Sequence, residues 1–592
     1  MALSRREFLQ MMIAASAVGI WTPKNSSAAS GMEKAPGIIN SSLPGDAYNI
    51  PKFGNVSLLH FTDCHAQLVP TYYREPDIHI GIGKLMKNEV PHLVGHHVLE
   101  RFNIPKRSNH AYALSFLDFP ELAARYGKTG GFAHLATLVK RMRAERPGAL
   151  LLDGGDTWQG SATSLWTNAQ DMVDAALILG VDVMTGHWEF TYGAERLNEV
   201  LNNDFKDKID FVAQNVVDLE FEDAVFNDRT IKEINGTRVA IIGQAFPYTP
   251  IANPRYFVDG WQFGIQEERL QRAVNSARDD GAEVVVLLSH NGMDIDLKLA
   301  NRIRGIDAIM GGHTHDAVPT AVEVANAGGK TLVINSGTSG KFLSVLDLDV
   351  RNGKIKGYKY HLVPVFSNLL EPDPQMAAHI EKVRAPYEKQ LSEVLAVNED
   401  ILYRRGTFTG TFDQIIVDAL MKTQDTQLAF SPGFRWGTTI LPGSPITVED
   451  LMSQTAITYP SVRRMDMTGK QIKEVLEDIA DNRFNPDPYM QQGGDMVRIG
   501  GLNYTIDPNM RKGKRIQEME LNGKAIKANK KYVVGAWAGL EKEQKGKPIW
   551  DVVAEYLRDQ KVVKTVQLNT PKLKNVADNK GVAEHVQSNA RA

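Results

Sequence analysis

The chain has 592 residues but a single cysteine, Cys64, so an intramolecular disulfide framework is excluded. Basic excess is also missing. The 67 Lys and Arg stand against 70 Asp and Glu, for a net charge of -3, which argues against nucleic acid as a partner. Past the first thirty residues there is no apolar run long enough to span a bilayer, so stable membrane insertion is not expected. What is present is ordinary for a soluble globular protein: 43% apolar and 23% charged residues, in a chain too long for one core.

The N-terminus bears on compartment. Ser4-Arg5-Arg6-Glu7-Phe8-Leu9 precedes the apolar run Met11 to Trp21, and Ser27-Ala28-Ala29 offers small residues for cleavage. This resembles a twin-arginine signal, predicted over 1–29, which would deliver a folded protein to the periplasm. Residues 30–52 read as a linker.

From residue 53 onward, buried strands end in polar, glycine-rich turns. Val56 to Phe61 runs into Thr62-Asp63-Cys64-His65, and Ala149 to Leu152 into Asp153-Gly154-Gly155-Asp156. Val181 to Thr185 is followed by Gly186-His187-Trp188-Glu189-Phe190-Thr191-Tyr192-Gly193. Glu283 to Leu288 precedes Ser289-His290-Asn291-Gly292, and Gly305 to Met310 precedes Gly311-Gly312-His313-Thr314-His315-Asp316. Imidazole and carboxylate are metal-ligand types, and strand ends are where open α/β sheets carry their sites. In an extended backbone, residues two apart point the same way, so Asp63 with His65 and His313 with His315 would each face one spot. Cys64 would then turn into the core. One such strand end is uninformative, since two loop histidines alone read equally well as solvated. Several at one topological position point to a dinuclear metal site, with Asp156 suited to bridge two cations. Residues 66–130 show little periodicity, and their scattered histidines (His92, His96, His97, His110) read as solvated.

The order of these motifs resembles the 5'-nucleotidase branch of the calcineurin-like metallophosphoesterases, over roughly residues 53–350. The resemblance implies an α/β protein. Its N-terminal part would be a four-layer α/β/β/α sandwich (53–365), and a linker helix (366–395) would lead to a C-terminal α/β domain of the 5'-nucleotidase type (396–570). It also implies two divalent metals held by Asp63, His65, Asp156, His187, His290, His313 and His315. Manganese is favoured by the resemblance; the donor set suits zinc or iron as well. The final stretch, 571–592, is polar and is expected to lack structure.

Two departures from that branch are informative. Where nucleotidases carry Gly-Asn-His-Glu-Phe-Asp, this chain has Gly186-His187-Trp188-Glu189-Phe190-Thr191. The assisting histidine and its carboxylate partner have become Trp188 and Thr191. Losing an acid matters for an alkoxide leaving group and much less for a sulfur one, because a simple thiol already has a pKa of about 8.5. The stretch 186–193 is similar to that of the periplasmic dimanganese sulfohydrolases of bacterial thiosulfate oxidation. Their resemblance implies attack of water on a sulfonate held by a cysteine persulfide of the carrier protein SoxYZ, with thiosulfate and sulfate as small ligands and a monomeric enzyme. His187, Trp188 and Arg435 would be catalytic, and Arg435, Trp188 and Thr191 would bind substrate, with Trp188 acting as an apolar wall, as an indole N–H donor, or simply as packing. Phe430-Ser431-Pro432-Gly433-Phe434-Arg435 resembles the loop that delivers an arginine from the second domain to the nucleotidase site. The second departure is a missing Gly-Gly-Asp-Gly-aromatic stretch near Tyr532 to Leu540. Gly493-Gly494-Asp495, ahead of a strand expected over Val497 to Ile506, is read as a different element, so a nucleobase clamp is unsupported. A periplasmic nucleotidase or other phosphoesterase is the alternative.

Overall fold

The computed structural model describes residues 48–591, except 544, 565 and 566. The expected signal and most of the expected linker lie outside the described residues. Tyr48 and Ile50, at the end of that linker, are buried: the Tyr48 hydroxyl donates to the Pro364 carbonyl at 3.0 Å.

The N-terminal unit is built from two six-stranded sheets. In the first, Val56–Phe61, Leu150–Asp153, Val183–Met184 and Asp210–Phe211 run parallel, and Phe342–Arg351 with Lys354–Pro364 closes one edge antiparallel. In the second, Thr237–Gln244, Val284–Ser289, Ala308–Gly311 and Gly329–Asn335 are parallel, with antiparallel strands at both edges.

Alternation explains the layering. Val56 and Leu58 pack between the sheets with Leu288, Met310 and Ile334, whereas Leu59 and Phe61 face helices Phe132–Glu145 and Gln170–Leu179. On the outer face of the second sheet, Val285 and Leu287 pack on helices Glu267–Asp279 and Met293–Arg302. Both faces of each strand are therefore covered, which is why the parallel strands read as continuous apolar runs. The result is the expected α/β/β/α sandwich.

The linker helix is broken. Helix Pro374–Arg384, capped by the Asp373 carboxylate on the Met376 N–H at 3.1 Å, ends in a 3₁₀ turn at Ala385–Tyr387, where Pro386 has no N–H to continue it. The C-terminal unit packs helix Thr411–Gln424 on a four-stranded sheet of Arg463–Thr468, Lys531–Ala536, Leu428–Ser431 and Arg498–Gly500. The strand expected over Val497 to Ile506 is split at Gly501, whose φ of +79° ends one sheet and starts another.

Two expectations fail here. The tail is structured: Lys572–Leu573 pairs with Leu502–Ile506, and the His79 and Ala583 N–H groups bond to Gly581 and Asp77 carbonyls at 2.7 and 2.9 Å. It satisfies backbone groups of the 66–130 segment and buries Leu573, Val576 and Val582, apolar residues too widely spaced to give a periodic signal. That segment itself folds into short helices, among them His96–Arg101, Asn109–Leu114 and Phe119–Tyr126. His92 is not solvated: it is buried, with Nε2 at 2.9 Å from both Asp294 carboxylate oxygens.

Candidate metal centre and substrate cleft

All seven residues expected as ligands converge at the carboxyl ends of the parallel strands. They form two buried groups, Asp63–His65–Asp156–His315 and Asp156–His187–His290–His313, with Asp156 common to both. His290 Nε2 and His187 Nδ1 lie 3.0 and 3.1 Å from Asp156 carboxylate oxygens, and His315 Nε2 lies 3.2 Å from Asp63 Oδ1. His65 Nε2 stands 3.1 Å from His315 Nε2.

The reason for the convergence differs from the one anticipated. Asp63, His65, Asp156, His313 and His315 all have positive φ, between 46° and 70°. They sit in the left-handed region, not in extended backbone, so the two-residue alternation does not apply. As a consequence His313 and His315 part company and serve different groups. Gly312 is required by this packing, since a Cβ there would lie 2.4 Å from Thr62 Oγ1 and 3.0 Å from Asp63 Oδ2.

The surroundings hold the donors in place. The Glu189 carboxylate accepts the backbone N–H groups of Thr157 (2.7 Å), His187 (2.8 Å), Asp156 (3.2 Å) and Trp158 (3.2 Å), which ties the Asp156 turn to the His187 turn. His290 Nδ1 and His65 Nδ1 are bonded to the Gly154 and Gln159 carbonyls at 2.6 and 3.1 Å, leaving each Nε2 to face the centre. Ring nitrogens of His187, His290, His313 and His315 are buried without hydrogen-bond partners. Orphaned imidazoles around shared carboxylates fit two divalent cations, and the donor set suits manganese, zinc or iron.

Electrostatics divide the donors. Burial pushes the Asp63 carboxyl up to about 6 and the His65 imidazole down to about 4. Burial also works against a charged His290, but Asp156 and Asp63 outweigh it and hold the ring up to about 10. Burial keeps His313 and His315 well below the usual histidine range, hence neutral and ready to ligate.

A cleft of about 830 Å³ opens from this centre between the two domains. Its walls are aromatic: Trp188 meets Trp436 edge-on with ring centres 4.8 Å apart, Phe434 stacks on Trp436 at 4.1 Å, and Trp436 stacks on His65 at 5.1 Å. The backbone N–H of Trp188 donates to Asp156 Oδ1 at 2.8 Å, so the wall is tied to the bridging carboxylate. Arg435 reaches the cleft from the second domain, as expected. Its fork is already engaged, with Nη1 on the His313 carbonyl (3.2 Å) and Nη2 on the Gly494 carbonyl (3.0 Å).

Thr191 is not at the cleft. It is fully buried, and its hydroxyl donates to the Trp188 carbonyl at 2.8 Å, closing the 3₁₀ turn Trp188–Tyr192. The assignment of Thr191 to substrate binding is therefore corrected. Cys64 is buried in the core, as expected.

Gly493-Gly494-Asp495, set aside from the sequence, lines the cleft. Gly493 has φ +87°, and a Cβ there would stand 2.6 Å from His313 Nε2. Burial alone would raise the Asp495 carboxyl, but Arg435, Arg498, Arg405 and Arg483 hold it down at about 2. Sequence reasoning also passed over Trp436, Phe246 and Tyr459 as cleft residues, and Glu189 as an anchor. Phe434 and Trp436 flanking Arg435 was the one available signal.

Comparison with known proteins agrees with this geometry. Residues 397–554 match the family model described as 5'-nucleotidase, C-terminal domain. The sulfate thiohydrolase SoxB of Thermus thermophilus superimposes with a TM-score of 0.84 at 38% identity, covering 89% of this chain and 98% of that one. A 5'-nucleotidase precursor, also from Thermus thermophilus, shares the fold, with a TM-score of 0.69 at 22% identity over 88% of this chain and 99% of its own. The 5'-nucleotidase of Bos taurus is 24% identical over 66% of this chain and 72% of its own length.

Proposed function

The chain belongs to the SoxB family, within the 5'-nucleotidase branch of the metallophosphoesterases, and from that premise we propose that it is a sulfohydrolase releasing sulfate from a cysteine S-thiosulfonate on the carrier SoxYZ during thiosulfate oxidation. The observation that carries this reading is the lack of an acid for the leaving group. Outside the two ligand groups, the described cleft residues that titrate are Tyr459, Asp495 and Arg435. The Tyr459 hydroxyl is turned onto Asn253 at 3.1 Å, and Asp495 is held ionised by its arginines. Trp188 stands where the related nucleotidases place a histidine. An alkoxide would leave such a site poorly, whereas a persulfide leaves as an anion unaided.

Two divalent cations held by the Asp156-centred groups, manganese in our reading, would supply a solvent molecule of lowered pKa and draw charge from sulfonate oxygens. The protein does the rest. Asp156 and His187, fixed by Glu189, set where the sulfonate sits. Arg435 keeps N–H groups beyond those bonded to His313 and Gly494 and offers them to a sulfonate oxygen. Trp188, Trp436 and Phe434 keep bulk water from the sulfur that departs. The oxygen of water bonds to the sulfonate sulfur, and the sulfur–sulfur bond breaks. Its electron pair stays with the sulfur on the carrier, and the protons of water pass to solvent.

We place the mature protein in the periplasm on the twin-arginine pattern of residues 4–29; no described helix is long and apolar enough to cross a membrane. The test is to measure sulfate release from thiosulfonated carrier beside phosphate release from AMP, using the metal-loaded protein. Sulfate release with negligible phosphate is expected. Brisk AMP hydrolysis with an untouched carrier would overturn the reading in favour of a periplasmic nucleotidase.

A further inference from the structure

Behind the metal centre lies a second, small chamber, which the reaction above does not use. It shares His313, Arg435, Gly493 and Gly494 with the cleft, so the partition between them is little more than a glycine backbone, one imidazole and one guanidinium.

The chamber presents buried donors that nothing in the protein satisfies. Arg435 Nε, Arg483 Nε and Asn482 Nδ2 have no hydrogen-bond partner, in residues only 7%, 6% and 7% exposed. Both Nε atoms lie near Asp495 Oδ1, at 3.5 and 3.9 Å, which is ion-pair range but no hydrogen bond. The ten-residue helix Met293–Arg302 begins at the same wall through Asn291 and Gly292, with Asp294 and Asp296 in its first turn.

The acidic groups present are already engaged. Asp294 is held by His92, and Asp316 lies 3.2 Å from His79 Nε2 and 3.9 Å from Arg405. Around the chamber's base, five buried arginines (404, 405, 435, 483 and 498) face four buried carboxylates, those of Asp294, Asp316, Asp413 and Asp495; of these, Arg435, Arg483, Asp294 and Asp316 line the chamber itself. Buried donors left without a hydrogen bond are costly, and a small oxyanion is a ligand that satisfies several at once.

We infer that this chamber binds a tetrahedral oxyanion and receives the sulfate product. Its identity as product rests on the proposed function. A carrier arm that enters through the aromatic cleft still fills it when the sulfur–sulfur bond breaks, so the small product needs another place to go. The space past Gly493–Gly494 is next to the sulfonate position and presents donors that no hydrogen bond occupies.

Selenate, a sulfate analogue with a strong anomalous signal, tests the site in crystals of the metal-loaded full chain. Anomalous density is expected between Arg483 and Asn482, apart from any at the metal centre. Asn482→Leu removes one donor at similar volume and leaves the guanidiniums in place. Arg483→Gln removes the charge. Loss of the chamber peak, or selenate binding weakened about tenfold or more, in either folded variant supports the site. A chamber empty at saturating selenate, or binding unchanged in both variants, overturns it. The two claims fail separately. An inert carrier with selenium in the chamber sinks the sulfohydrolase reading alone, and an active enzyme with an empty chamber sinks this inference alone.

Discussion

The two walls of the cleft come from different domains and are made of different material. The N-terminal wall contributes the whole ligand set, on turns after five strands, and every member is buried. The C-terminal wall contributes no ligand to either group; it brings Phe434, Trp436, Tyr459 and one arginine. The difference separates two tasks. Metal holding is local to one sandwich and is fixed by its own turns, whereas the aromatic wall beside it is shared, with Trp188 of the first domain packed against Phe434 and Trp436 of the second.

The largest effect should come from the residue that both metal groups share. Asp156→Ala is expected to lower turnover by about a thousandfold or more, because both groups lose their common ligand. Elemental analysis of the purified variant should show less than one metal per chain; two retained metals would break the division of labour drawn above. Arg435→Met tests the opposite wall. It should leave two metals bound while kcat/KM for the sulfonated carrier falls about a hundredfold, the usual cost of one charged hydrogen-bond donor in a closed site. Unchanged kinetics would remove Arg435 from substrate contact.

Intermediate in size is Glu189→Gln. One of the two oxygens becomes a donor, so some of the four backbone N–H groups lose their acceptor. Metal affinity should weaken about 10- to 100-fold, as for other anchors behind a ligand, with little change in the ratio of sulfate to phosphate release. The smallest effect is on acid stability. The Asp495 carboxyl is held at about 2 against an ordinary 3.8, because Arg435, Arg498, Arg405 and Arg483 outweigh the cost of its burial. A depressed carboxylate stabilises the fold above its unfolded pKa and loses that contribution as pH falls through the folded one. Denaturant titrations should therefore show about 2 kcal/mol lost between pH 4 and pH 2, and Asp495→Asn should flatten that slope. An equal slope in the variant would place the acid sensitivity elsewhere.

Much of the first wall was readable from the chain. Val56–Phe61, Leu150–Asp153 and Ala308–Gly311 are apolar runs ended by glycine, aspartate or histidine, and that pattern is local. The second wall was not. Trp436 stands 371 positions from His65, on which it stacks, and no short-range pattern links the two. Gly493-Gly494 was dismissed because its flanking residues differ from a familiar motif, yet it closes on His313. The left-handed turns at Asp63 and His313 were likewise hidden, since ordinary side chains avoid that conformation unless surrounding packing imposes it. Thr191 misled for a related reason: its position in the motif was right, but its hydroxyl closes a turn.

Patterning and the family resemblance therefore picked out which side chains could hold metals and put them at strand ends, because an apolar run that stops at glycine, aspartate or histidine is a local feature. Tertiary packing decided that Asp156 is shared, that His313 and His315 face different groups, and that a guanidinium-lined chamber adjoins the centre. Each of these depends on segments hundreds of positions apart being pressed together, and local sequence carries no energy term that selects one such meeting over another.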